Sequence, residues 1–205
     1  MLHTSTAIRT AFDHLGESYI RLASDLTPEQ VELAGLGEWN VRELLGHGIR
    51  AFSTAGTYLD ASPTVDFTVY SAGEYYHRAL SGGPSLHADV AARGHAAGDA
   101  LRENLVGVVK STVESACARV GLASDDDVVN TPMGQLPMLV YLATRIVEGG
   151  VHMLDLQRAV GIDAHLDPTV AEIVVLTLVD AGDIEQVILA ITGRIALPIG
   201  FNILQ

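Results

Sequence analysis

Apolar residues recur along this chain at steps of three and four, and strict alternation with a period of two is nearly absent, so the pattern predicts helices throughout. The first spans about 5–24, with Ile8, Phe12, Leu15, Tyr19 and Leu22 on one stripe. Thr27 followed by Pro28 predicts a short capped turn. A second helix starts at Asn40, whose side chain can cap it while Glu43 closes a capping box three residues later. Its apolar face runs through Leu44, Leu45, Gly48, Ile49 and Phe52. Residues 58–84 read as irregular, yet they hold Tyr58, Phe67, Tyr70, Tyr75 and Tyr76, too many aromatics for a solvated linker. They are expected to form either a loop packed over the bundle end or a lid over a pocket. A long third helix is predicted over 85–120, with small residues at 91, 94 and 97 allowing close approach of a neighbour. Residues 125–134 read as a loop, and a fourth helix runs over about 136–160 to Gly161. A fifth begins at Asp167 and Pro168, breaks near Gly182, resumes at Asp183 and ends at Gly193 and Arg194; the apolar tail 197–201 is expected to dock on the bundle.

Composition narrows the class. At 205 residues the chain suits one unit, read as a single domain over 1–205, and it can bury about 70% of its unfolded surface without disulfides. Aromatics are only 5%, so packing of small and aliphatic helix faces is the natural architecture. The single Cys117 excludes an internal disulfide and reads as a small buried apolar residue. A net charge of −13 argues against nucleic acid and anionic membranes as partners. Mean hydropathy of +0.29 raises the question of a membrane span. The longest charge-free window, 128–144, contains two prolines, and the N-terminus lacks a basic, apolar leader pattern, so the expected location is the cytoplasm.

Candidate chemistry concentrates on the fourth helix, where Tyr141, Arg145, Glu148, His152 and Asp155 share one stripe. Glu148 and His152, four apart, can converge on one divalent ion, and His47, flanked by Gly46 and Gly48, is the best third ligand. The competing reading is a solvated polar face opposite Leu139, Leu142, Ile146 and Leu154. Gly149 and Gly150 imply that a ligand or a helix comes close to the backbone. His95 with Asp99 is a competing pair at the same spacing, and His3, His14, His77 and His165 read as solvated. No phosphate loop, nucleophile elbow or HExxH motif is present.

Residues 39–47, from Trp39 through Val41-Arg42-Glu43-Leu44-Leu45 to His47, resemble the first motif of the DinB-like superfamily, and more closely the metal-binding N-terminal domain of mycothiol-dependent maleylpyruvate isomerases of actinobacteria. Residues 131–137, 145–156 and 190–194 resemble later motifs of the same family, in order. The resemblance implies an all-α, DinB-like four-helix bundle with an additional C-terminal helix. It implies a divalent metal, zinc first and nickel second, on His47, Glu148 and His152, with Asp155 behind His152. It further implies that mycothiol or a similar small thiol binds the metal as thiolate and attacks a small electrophile, in S-transfer or isomerisation. Arg145 and Arg194 are the candidates for meeting an anionic thiol or substrate. The isomerases of this family carry an additional C-terminal α/β domain that contributes to the active site and that these 205 residues do not contain, which counts against isomerisation relative to S-transfer. The alternatives are a non-catalytic helical protein, in one arrangement a homodimer, that binds a small ligand beside a vestigial metal site, and a hydrolase using metal-activated water.

Overall fold

The computed structural model describes residues 3–59, 67–81, 84–197 and 201–202, with side chains omitted over 84–89. Its first helix, α1 (Ser5–Asp25), buries the whole predicted stripe. Thr27 and Gln30 cap each other reciprocally ahead of a single 3-10 turn at Gln30–Glu32. The second helix divides in two: α2 (Val41–Gly48), with the Asn40/Glu43 capping box complete, and α3 (Arg50–Leu59). The join at Ile49 keeps helical dihedrals, so both pieces bury the predicted face.

Three sequence expectations are corrected. Residues 58–84 are not irregular throughout: α4 (Ala72–Leu80), capped by Ser71, occupies part of them and buries Tyr75 and Tyr76. Tyr76 donates to the Thr144 carbonyl at 3.1 Å, so α4 is a packed element of the core. Residues 60–66, on which the lid expectation also rested, lie outside the described residues. The long third helix is two helices, α5 (Pro84–Ala100) and α6 (Leu105–Leu122). Asn104 starts α6 by accepting the Gly107 amide at 3.0 Å, a competing local hydrogen bond that continuous apolar spacing hides. Finally, the 125–134 loop contains one arm of an antiparallel hairpin, β1 (Val128–Thr131) and β2 (Gly134–Pro137). Only Val129 and Leu136, opposite each other, are buried, and strands of four residues are too short to show alternation.

The fourth helix, α7 (Met138–Ala159), is followed by Gly161 at φ 74°. Two further helices, α8 (Pro168–Ala181) and α9 (Ile184–Ile191), follow the predicted break, with Asp167 and Asp183 as caps. Helices α1, α3, α6 and α7 form the bundle, α1 and α3 each touching α6 and α7. Phe12, Tyr19 and Phe52 meet at its centre, with ring centroids 4.9 and 5.5 Å apart. Helix α2 packs on α5 and α7, α8 covers α1 and α7, and α4 lies on α7 and α8. This is an all-α, DinB-like bundle with additional C-terminal helical structure. No helix among the described residues is long and apolar enough to cross a membrane. Of the tail, Leu197 is exposed, and 198–200 lie outside the described residues.

The cap of α8 gives a measurable test. Asp167 accepts from the Thr169 amide at 2.9 Å and faces His14 Nδ1 at 3.2 Å. Hydrogen bonding from Thr169, against the opposing pull of burial, lowers its carboxyl to about 2. Asp167→Ala is expected to cost about 1 kcal/mol at neutral pH. The folded carboxyl titrates below its unfolded value near ~3.9, so its contribution is full above about pH 4 and is lost as pH falls toward about 2. Urea melts across that range check this, and Asp167→Asn, which caps but cannot ionise, should flatten the acid limb.

Candidate metal centre

Helix α2 delivers His47 in its last turn, and α7 delivers Glu148 and His152 one turn apart. His47 Nε2 lies 3.4 Å from Glu148 Oε1, and His152 Nε2 lies 3.7 Å from the same oxygen. Ligands about 2.05 Å from a tetrahedral ion stand about 3.3 Å from one another, so these separations are close to the edges of such a site. One donor atom from each of the three residues falls within 4.8 Å of the others, and the group could hold a metal ion. Two imidazole nitrogens and one carboxylate oxygen are the donor set of three-ligand zinc sites that keep one position open.

The polar stripe of α7 is not a solvated face. The His152, Asp155 and Glu148 side chains are only 15%, 25% and 33% exposed. Helix α7 is wrapped by α1, α2, α3 and α8, so a wheel for one helix could not tell its second covered side from solvent. Asp155 Oδ2 lies 3.3 Å from His152 Nδ1, which fixes the ring and leaves Nε2 toward Glu148. Burial opposes the charged form of His152, but Asp155 and Glu148 outweigh it and raise the group to about 9. Burial likewise opposes the Glu148 carboxylate, yet contacts with His152 and His47 and the charge of Arg145 hold it well below the usual range. His47 is buried, with Nδ1 lacking any hydrogen-bond partner among the described residues.

Trp39 completes the frame around His47, its ring 4.6 Å away and tilted by 33°. Its indole N–H donates to the Ala91 carbonyl at 3.2 Å, and Gly94 provides the space, since a Cβ there would collide with the indole. The small residues predicted on α5 thus serve this contact. Trp39 lies outside α2, before its Asn40 cap, so helical spacing could not relate it to His47 eight residues on. Gly149 and Gly150 turn out to serve helix contacts: Cβ atoms there would meet Leu15 and Val174, each at 2.8 Å. Tyr19 donates to the Gly149 carbonyl at 2.9 Å.

Arg145 is buried one turn before Glu148, with its guanidinium over the rings of Tyr141 and Tyr75 at 4.8 and 5.6 Å. Arg194 is not brought to the cluster; it lies exposed beyond α9 and donates to the Thr192 carbonyl at 2.7 Å. The competing His95/Asp99 pair does not form: His95 Nδ1 lies 2.8 Å from Glu43, which raises the imidazole, and Asp99 pairs with Arg102. The His87 side chain lies outside the described residues. Of the histidines read as solvated, His77 and His165 are exposed, His14 faces Asp167, and His3 has a buried Nε2 lining a cavity with Ile8, Val140 and Thr177.

Fold and site together define a DinB-like helical bundle with a histidine–glutamate cluster able to hold a metal. Residues 12–157 match the family described as the mycothiol maleylpyruvate isomerase N-terminal domain. The chain belongs to that family, and the match includes His47, Glu148 and His152 together with Asp155. No curated protein and no solved structure matches the chain.

Proposed function

We propose that this chain is a metal-dependent enzyme that joins a small thiol to a small electrophile, by S-transfer or by an isomerisation through reversible addition. The observation that carries the reading is the convergence of His47 Nε2, His152 Nε2 and Glu148 Oε1 from two helices. Zinc is the inferred cation, and when bound it supplies the positive charge that keeps a thiol sulfur deprotonated near neutral pH. Glu148 offsets one of the two charges of such an ion, and Asp155 orients His152 as a positioning residue. The sulfur has to be imported. Burial, with a hydrogen bond to Asp13, pushes the Cys117 thiol up to about 12, which leaves it inert as a nucleophile. The family's description names mycothiol, and a low-molecular-weight thiol of that kind is the nucleophile we infer. Residues 1–205 then act as one unit, and a thiol-dependent reaction suits the reducing cytoplasm.

The test combines binding with turnover. The chain has one tryptophan, and it stacks on His47, so Trp39 emission should report a zinc titration that ends at about one equivalent. With thiol and a panel of electrophiles present, turnover should need both thiol and metal, and a chelator should abolish it reversibly. Turnover without thiol would favour the hydrolase. Metal binding without turnover across thiols and electrophiles would favour the non-catalytic binder.

A further inference from the structure

Helix α9 has no buried residue, although its sequence is as apolar as a core helix. Gln186, Val187 and Ala190 are its half-buried positions, on the side toward the rest of the molecule. Ile184, Ile188 and Ile191, at steps of four and three, lie toward solvent, 44%, 50% and 77% exposed. Leu189 extends the strip sideways, and Ile195 and Leu197 extend it beyond the helix; all three are also exposed. The patch is on the order of 500 Å², near the top of what a typical monomer's largest apolar patch reaches. A standard interface covers about 800 Å² on each partner, so the strip with its polar rim approaches one half of a dimer contact.

The rim indicates the occupant. Asp183 and Glu185 stand at the start of α9, and Arg194 stands just beyond its end. Arg194 makes no ion pair among the described residues; its described bond is to the Thr192 carbonyl. Two α9 helices packed antiparallel about a two-fold axis near Ile188 and Leu189 bring each Arg194 opposite the other copy's Asp183 and Glu185. Asp183 caps the first turn of α9, and Arg194 follows the turn at Gly193 that closes its last, so the acidic and basic groups stand at opposite ends of the helix. The element therefore carries an apolar centre with acidic groups at one end and a basic group at the other, as a self-complementary antiparallel surface requires.

We propose that this face is a two-fold interface with a second copy of the chain, formed by antiparallel pairing of α9. The surface is remote from the metal cluster in sequence and does not depend on the functional reading above. Sedimentation velocity of the full chain over a concentration series tests it, with elution by light scattering as a second readout. A concentration-dependent dimer is expected. Ile188→Asp replaces a half-exposed side chain, so it should leave the circular dichroism spectrum of the folded chain unchanged while weakening dimerisation at least about tenfold. Arg194→Glu should weaken it by a smaller factor, more at low salt than at high salt, and adding Glu185→Lys should restore part of the loss. A wild-type chain that stays monomeric at all concentrations overturns the proposal. So does a dimer indifferent to Ile188→Asp, and so does a chain that dimerises only after residues 198–205 are deleted, which would assign the strip to the chain's own end.

Discussion

His47→Ala is expected to reduce bound metal from about one ion per chain to a small fraction of that, with affinity falling more than 100-fold. The magnitude follows from the donor count. Three side chains converge here, and without His47 only Glu148 and His152 of α7 remain, one protein donor short of the three that an open zinc site uses. Loss of a residue that merely orients a ligand costs about 10–100-fold, which is the range expected for Asp155→Ala, so removal of a ligand should exceed it. Elemental analysis of untagged protein after gel filtration gives the number directly. His95→Ala is the control, because that imidazole faces Glu43 and Glu38 instead of the cluster, and its metal content should match the wild type. Metal content unchanged in His47→Ala would remove His47 from the ligand set. Circular dichroism distinguishes metal lost with the ligand from metal lost through a folding failure, since His47 is buried and its truncation leaves a void beside Trp39.

Gly46→Ala is expected to lower stability by about 3 kcal/mol, a fall of about 10 °C in melting temperature for a chain of this size. A Cβ at Gly46 would stand 2.6 Å from the Ala97 carbonyl carbon and 2.8 Å from both the Ala97 oxygen and the Gly98 nitrogen. All three are backbone atoms of α5, so no rotamer change relieves the contact and the two helices must separate. The separation also moves His47, one residue on, and metal affinity should fall with stability. Gly56→Ala makes the opposite prediction. It lies within α3 with nothing within 4 Å of the added methyl, so it should stabilise by about 0.5–1 kcal/mol. Parallel thermal melts of the two variants separate a steric effect from a general response to glycine replacement.

Much of the fold was legible in the chain because local rules governed it. The Asn40/Glu43 box, the Asp167/Pro168 start, the break at Gly182 and the stops at Gly161 and Gly193 each involve groups within a few residues of one another. Apolar spacing of three and four gave the buried stripe of α1 residue by residue. The errors share a different cause. At 101–104 and at Ile49 the apolar period continues across the interruption, so periodicity cannot see it. The hairpin at 128–137 is held partly by Gln135, whose carbonyl accepts from the Thr68 and Val69 amides of a distant segment. Tyr75 and Tyr76 were noticed as aromatics in an unexpected place, but their contacts with Arg145 and Thr144 are about seventy residues away in sequence.

The sequence by itself determined that the chain is helical, that Glu148 and His152 stand one above the other, and that His47 sits at the edge of an apolar helix face. Spacing on one helix fixes those relations, because backbone hydrogen bonds set 3.6 residues per turn wherever the helix forms. Whether the polar stripe of α7 faced water or a neighbour depended on how many helices surround it, and no local interaction encodes that number. The tertiary structure decided it: α2, drawn against α5 by Gly46, Gly94 and Gly98, places His47 Nε2 3.4 Å from Glu148 Oε1. The same packing left Arg194 outside the cluster and the outer face of α9 uncovered.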